Sequence, residues 1–377
     1  MAWFAEVVTN RFARQAAAPT EQTQMTKSKH VVVFEGDDAS PEAMQPSIAL
    51  IESLGLPLTF ERPLIGDQAK ALHGSAFPDS ARDAIDAADA TFFGSSSGSS
   101  GATLFYLRWG KQTYANVRPC KWIPGYRSPL AQPQGIDFVV VRENLEDLYL
   151  GLEGELSELA GLNLHSRNAR SALADMAPGK FAVKVITEAG TRRVVRHAFE
   201  LARRRAGQRK VTITCKYNML RVSDGYFRDI AMDVARDYPD IACDSFIIDD
   251  FLCRMITRPQ QLDVVVMPNL YGDIMSDGAA GLLGGLGLAA SGCYGDDYAY
   301  FESAHGTAPD IAGQNIINPT ATLLSGCLML DYLGFADAAE RLRNAMAQVY
   351  ADGTRLTPDQ GGRASTTEFC AAVQARL

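Results

Sequence analysis

Two aspartates four residues apart, Asp273 and Asp277, lie within Met267–Pro319, the stretch of this chain densest in groups able to do chemistry. On a helix that spacing sets both carboxylates on one face, one turn apart. Two anions so close repel unless a cation or a proton lies between them. A hard divalent ion with oxygen ligands, Mg²⁺ or Mn²⁺, is the natural partner. An acidic pair at i, i+4 is more often a solvated helix face, so the spacing alone decides nothing. A second loop follows, His305-Gly-Thr-Ala-Pro-Asp-Ile-Ala-Gly313, with Asn318-Pro319 behind it, and its Gly, Thr and Asp groups can wrap a nucleotide. Arg108, Arg118 and Arg142 each stand at the end of a buried-looking run. A lone arginine is usually a surface charge, but three in such settings point to a di- or tricarboxylate, because guanidinium forks bind carboxylates bidentately.

These groups need elements to position them. The apolar run His30–Phe34 predicts a strand, and Ser40-Pro41 predicts an N-cap with proline at the first helical position. That helix runs toward Leu54, with a kink expected at Pro46. Strands are predicted at Leu56–Phe60 and Thr91–Gly94, with a helix over Ala81–Ala88 between them. This β-α-β-α-β rhythm argues for an α/β fold. No G-x-G-x-x-G follows the first strand, which argues against an ordinary Rossmann dinucleotide site. Ser95–Gly101 is a low-complexity loop leading into a helix over Ala102–Arg108. Ile136–Val141 predicts a strand delivering Arg142 and the run to Tyr149. Leu152–Gly179 reads as irregular and polar. Thr187-Glu188 caps a long helix with Val194, Val195, Ala198, Phe199 and Ala202 on one face. Strands are expected at Lys210–Cys215, ending at Lys216, and at Phe246–Ile248, ending at Asp249-Asp250. A helix opens at Ser223, and three more cover about 320–334, 336–350 and 366–377.

The chain has 377 residues, enough for two or three domains and a large core. Its formal net charge of −8 offers no basic field for nucleic acid, and no Lys/Arg block suggests an anionic membrane surface. No apolar run reaches membrane-spanning length. Seven cysteines without a CxxC pair suit thiols used as small core residues in a reducing compartment. Residues 1–29 read as a flexible N-terminal extension. A mitochondrial transit peptide, and hence the matrix, is the alternative to a cytoplasmic protein.

The segments Asn269-Leu-Tyr-Gly-Asp-Ile-Met-Ser-Asp277, Phe301-Glu-Ser-Ala-His-Gly-Thr-Ala-Pro-Asp-Ile-Ala-Gly313 and Asn318-Pro319 resemble, in order and spacing, the signature of the isocitrate/isopropylmalate dehydrogenases. These are metal-dependent β-decarboxylating dehydrogenases, and the resemblance runs from about His30 to the C-terminus. It implies a large α/β domain from both chain ends, 30–113 and 285–377, and a smaller central α/β domain, 114–284, bearing a dimer contact. It implies metal ligation of Mg²⁺ or Mn²⁺ by Asp273 and Asp277 with Asp249 of the partner subunit. Arg108, Arg118 and Arg142 match the arginines that hold substrate carboxylates, and Leu104 matches a specificity position. Tyr149 and Lys216 match the catalytic pair, the lysine again crossing from the second copy. Glu302, His305, Gly306, Thr307, Ala308, Asp310 and Asn318 match the cofactor-binding positions. The acidic Asp310 stands where relatives using NADP carry lysine, which implies NAD. The implied reaction is oxidative decarboxylation of a 3-substituted malate by a homodimer with shared sites, without nucleic acid or membrane. Isocitrate is the first expectation, from the Asn269–Asp273 and Glu146–Tyr149 segments.

Two departures bear on this. Relatives carry Gly-Asp-Gly-Ile-Gly-Pro-Glu where this chain has Gly36-Asp-Asp-Ala-Ser-Pro-Glu42, so the loss of two glycines is expected to cost backbone conformations with positive φ. Isocitrate enzymes carry Ser and Asn at the positions of Ala102 and Leu104, and an apolar residue at the latter resembles isopropylmalate and tartrate/malate relatives. The alternatives are therefore 3-isopropylmalate, homoisocitrate or tartrate/malate as substrate, or a non-catalytic subunit of a hetero-oligomeric isocitrate dehydrogenase.

Overall fold

The fold was taken from a computed structural model, which describes residues 28–205 and 207–377. The extension expected at residues 1–29 lies almost wholly outside the described residues. Runs such as Val31–Phe34 and Val264–Met267, buried along their whole length, have the continuous apolar character of strands covered on both faces. They form the expected α/β architecture around one ten-stranded mixed sheet.

In chain order its strands are β1 (Lys29–Phe34), β2 (Leu58–Glu61), β3 (Ala90–Phe93), β4 (Ala115–Lys121) and β5 (Asp137–Glu143). Four short strands follow, β6 (Glu153–Glu155), β7 (His165–Ser166), β8 (Ser171–Ala172) and β9 (Lys180–Ala182). Then come β10 (Lys210–Cys215), β11 (Ala242–Ile247), β12 (Val264–Met267), β13 (Ala290–Tyr294) and β14 (Ala299–Ser303). The order across the large sheet is β11-β10-β12-β5-β4-β13-β14-β3-β1-β2. Strands β5, β12, β10 and β11 run parallel to one another, as do β14, β3, β1 and β2. Strand β4 is antiparallel to both β5 and β13, and β13 is antiparallel to β14.

Several expectations shift. The first helix is Ser40–Glu52, with Ala39 as its N-cap and Pro46 inside. Ser40 is drawn off: its hydroxyl accepts a hydrogen bond from the Ser95 amide, 2.9 Å away, and does not cap. Thr187 does cap, accepting from the Gly190 amide at 3.1 Å, and the helix runs Glu188–Arg205. Strand β11 ends at Ile247, and Asp249 and Asp250 follow it in the first turn of the helix Ile248–Thr257. The segment 152–179 is not irregular throughout, since β6 pairs with β9 and β7 with β8. The helix Gly66–His73 and the central strands β13 and β14 were not anticipated.

Apolar side chains gather in separate clusters on the two ends of the sheet, one around Val194, Phe199, Val211 and Val266, another around Val32, Phe34, Phe93 and Tyr300. A third runs beneath the helices Asn269–Leu283, Thr320–Leu333 and Ala336–Asp352 and draws on both ends of the sheet, from Val31 to Phe138. Five of the seven cysteines are buried thiols, as expected of small core residues.

Candidate active site

Strands β4 and β5 pair with Asn116 opposite Arg142, which makes Arg118 and Arg142 diagonal neighbours on one face. The helix Asn269–Leu283 lies across that face. Its approach is close because Gly272 has no side chain: a Cβ there would stand 2.5 Å from Arg142 Cβ and Cγ. The next residue, Asp273, therefore meets the arginines at short range.

Arg142 is 1% exposed. Its Nε donates to Asn269 Oδ1 at 2.8 Å, its Nη1 pairs with Asp273, and its guanidinium stacks 4.9 Å from the Tyr149 ring centre. Arg118 Nη1 donates to Ser276 Oγ at 2.6 Å and lies 3.2 Å from Asp277 and 3.4 Å from Asp273. It thus bridges the two carboxylates, on one helix face as expected. Tyr149 Oη donates to Asp273 Oδ2 at 2.5 Å. Arg108, in the turn Tyr106–Gly110, donates from Nε to Tyr300 Oη at 3.2 Å, and its Nη2 lies 4.0 Å from Glu302 Oε1. Two buried guanidinium nitrogens, Arg118 Nε and Arg142 Nη2, have no hydrogen-bond partner among the described residues. Buried donors without partners cost free energy, so these are aimed where an acceptor from outside the chain is needed.

The charges set each other's protonation. Burial alone would raise the Asp273 carboxyl, but Arg142, the Tyr149 hydroxyl and Arg118 together hold it below the usual range. Asp277 is pushed up by burial, which Arg118 only partly offsets. The Tyr149 phenol is raised by burial and by its bond to Asp273. Burial and the Arg118 charge lower Arg142. Glu302, within β14, is raised by burial.

A second cluster stands at the C-terminal ends of β10 and β11. Lys216 Nζ lies 2.7 Å from Asp249 Oδ1, and the lysine's hydrogen bond holds that carboxyl low. Asp249 does not join Asp273 and Asp277 within one chain: among the described residues no three His, Cys, Asp or Glu side chains converge to hold a metal ion. The expected trio is thus brought together two plus one.

The loop after β14 frames a cavity of about 380 Å³. Four of the residues singled out in the sequence, His305, Gly306, Ala308 and Asn318, line it together with Leu286, Gly287, Ile316, Ile317 and Asp359, which carried no signal there. His305 Nδ1 sits 2.8 Å from the Gly306 carbonyl, and burial lowers its imidazole. Asn318 Nδ2 donates to Asp359 Oδ2 at 2.9 Å. Ala308 is left-handed at φ +50, and Asp310 is exposed in the turn Pro309–Ile311. The buried Thr307 accepts the Ala39 amide through its carbonyl at 3.0 Å. Asp359 carries no motif and is found only by tertiary placement.

The altered loop retains a positive φ at one of the two lost glycines, which corrects the expectation that such conformations are lost there. Asp38 adopts φ +54 in place of a glycine. Glu42 accepts the Gly313 and Asn315 amides, fastening this loop to the one around Asp310. Leu104, one turn before Arg108, is half-buried against the cluster containing Phe93 and Tyr300, and Ala102 is exposed.

A family model described as isocitrate/isopropylmalate dehydrogenase matches residues 30–373. The chain belongs to this family. It is 41% identical to the 3-isopropylmalate/3-methylmalate dehydrogenase of Methanocaldococcus jannaschii, covering 92% of this chain and 98% of that protein. It is 39% identical to the isocitrate/homoisocitrate dehydrogenase of Thermus thermophilus, covering 91% and 97%. The crystal structure of isocitrate dehydrogenase from Methylococcus capsulatus superposes with a TM-score of 0.81 at 34% identity, over 92% of this chain and 99% of that one. No helix among the described residues is long and apolar enough to cross a membrane.

Proposed function

We propose that this member of the isocitrate/isopropylmalate dehydrogenase family is an NAD- and divalent-metal-dependent enzyme that oxidises and decarboxylates a 3-substituted malate. The carrying observation is the pair of unpartnered buried guanidinium nitrogens on Arg118 and Arg142, beside two carboxylates one helical turn apart. Together with Arg108 these forks suit the carboxylates of a malate.

Asp273 and Asp277, with Asp249 of the partner subunit, would hold Mg²⁺ or Mn²⁺, to which their hard oxygen donors are suited. When bound, the ion polarises the C2 oxygen and the nicotinamide accepts hydride. The chain's own residues manage binding and protons. The arginines fix both substrate carboxylates so that C2 and C3 are oriented. Lys216, supplied across a twofold contact, takes the C2 hydroxyl proton. Tyr149, its phenol raised by burial and the Asp273 bond, returns a proton to C3 after CO₂ leaves. The shared site requires a homodimer in which the Lys216–Asp249 cluster of one subunit completes the Asp273–Asp277 pair of the other. The division into 30–113 with 285–377 and 114–284 is carried by the family resemblance; the clusters at the two sheet ends fall on either side of it, and the third crosses it. The cavity beside His305 and Asn318 suits an adenosine, with the exposed Asp310 reading its ribose and repelling a 2′-phosphate.

At the two positions where isocitrate enzymes carry Ser and Asn this chain has Ala102 and Leu104, which favours an aliphatic substituent at C3, as in 3-isopropylmalate. A second reading, isocitrate, rests on the isocitrate-like segments Asn269–Asp273 and Glu146–Tyr149, whose Asn269 and Tyr149 side chains meet Arg142 and Asp273. The test is NAD reduction by the purified chain with Mg²⁺ or Mn²⁺ across 3-isopropylmalate, isocitrate, homoisocitrate, malate and tartrate. Metal-dependent turnover led by 3-isopropylmalate is expected. Turnover of isocitrate alone reverses the choice of substrate, and no turnover of any of them overturns the proposal.

A further inference from the structure

Three polar residues outside the site meet in the interior beside it. Lys184 Nζ lies 3.2 Å from Asp147 Oδ1, 2.7 Å from Asp224 Oδ1 and 4.4 Å from the Tyr271 ring centre. Both aspartates are fully buried. Desolvating two carboxylates is costly unless a cation lies beside them, and Lys184 is the cation that both Oδ1 atoms face. Here each spends its other oxygen on the backbone of a site element. Asp147 Oδ2 accepts the amide of Leu270, in the first turn of the helix bearing Asp273, at 3.0 Å. Asp224 Oδ2 accepts the amide of Lys216 itself at 2.7 Å.

Asp147 also stands two residues before Tyr149, with φ +68 and ψ −141, a conformation that a side chain rarely adopts. Strain of this kind costs about 1–3 kcal/mol and persists only where the surroundings over-determine it. The surroundings here are the Lys184 ammonium, the Leu270 amide, and the Val185 carbonyl accepting from the Asp147 amide at 2.9 Å.

We infer that Lys184 is a positioning residue that sets Tyr149 and Lys216 at once, by gripping through Asp147 and Asp224 the loop that carries each. Lys184 touches neither the substrate arginines nor the metal carboxylates, so it acts through these two anions. This inference rests on the proton roles given above to Tyr149 and Lys216.

The test separates the two branches. In the ligand-free chain, amide hydrogen exchange reads each grip directly. Asp147→Asn is expected to speed exchange at Leu270 about tenfold and Asp224→Asn at Lys216 about tenfold, while Lys184→Met speeds both. In the loaded enzyme, single-turnover hydride transfer follows the Lys216 branch. Exchange of the C3 protons of the 2-oxo acid product with D₂O follows the Tyr149 branch without hydride transfer. Asp224→Asn should slow the first about tenfold with the second within twofold, Asp147→Asn the reverse, and Lys184→Met both. A folded Lys184→Met leaving either rate within twofold of wild type overturns the inference. Should Lys184→Met fail to fold, the two Asn variants decide alone, and equal slowing of both rates by each overturns it. A wild-type chain performing neither step removes the functional reading and this inference together. Wild-type turnover with unmoved variants removes only the inference.

Discussion

Gly272→Ala puts the closest contact of the site to a quantitative test. The new Cβ would stand 2.5 Å from Arg142 Cβ and Cγ and 3.0 Å from its Cα. Carbon atoms rest at about 3.5–4.0 Å, so helix and strand must part by about 1 Å. The clashing atoms belong to β5 and the root of its side chain and cannot swing aside. Overpacking of this kind costs about 1–3 kcal/mol. Alanine's better helix propensity returns roughly 1 kcal/mol, leaving a net loss of about 0–2 kcal/mol. Activity should suffer more, because Asp273 is the next residue and its links to Arg142 and Tyr149 shift with the helix. A misplacement of about 1 Å costs on the order of 100-fold in rate. Steady-state kcat/KM and thermal melts of both proteins make the assay. The expected result is a fall of about 100-fold in kcat/KM with a melting point within a few degrees of wild type. Wild-type kcat/KM would refute the claim that Gly272 sets the carboxylate against the arginine.

Further outcomes follow from other features. Asp310→Lys with Ile311→Tyr should move the ratio of kcat/KM for NAD over NADP toward NADP, since the exposed carboxylate no longer repels a 2′-phosphate; an unmoved ratio counts against the cofactor assignment. Burial pushes the Glu143 carboxyl up to about 7 from 4.5, so the folded chain favours its protonated form. Its stabilising contribution is whole below about pH 4.5 and is lost as pH rises to about 7, a change of about 3 kcal/mol. Glu143→Gln should flatten that slope in urea midpoints measured from pH 4.5 to 8, and parallel profiles would contradict it. Leu252, Ile256 and Ile274 expose 38%, 47% and 55% of their surface on the helices bearing Asp249 and Asp273. Ile256→Glu should give a monomer in sedimentation and lose activity, because Lys216 and Asp249 then serve no neighbour; an active monomer would end the shared-site reading.

The chemistry was more legible in the sequence than the scaffold. Asp273 and Asp277 share a helix face because spacing on a helix dictates it. Lys210–Cys215 is likewise bounded as read. What escaped is set by distant contacts. Strand β13, Ala290-Ser-Gly-Cys-Tyr294, has no β-branched residue, and only pairing to β4 and β14 makes it a strand. Asp38 takes a glycine's conformation under tethers from another loop, which no local propensity encodes. Asp147, Lys184 and Asp224 are spread over 78 positions and meet only in the folded interior. In the sequence they look like three ordinary charges.

The pairing of β3 with β14 joins Thr91 to Tyr300. The chain's first three strands therefore leave the ribosome as a sheet whose β3 side is open, and the segment that closes that side is about 200 residues away. At about 5–20 residues per second, that side stays bare for about 10–40 s. An unpaired hydrophobic strand is a template for other chains, so yield in a cell should depend on how well that interval is sheltered.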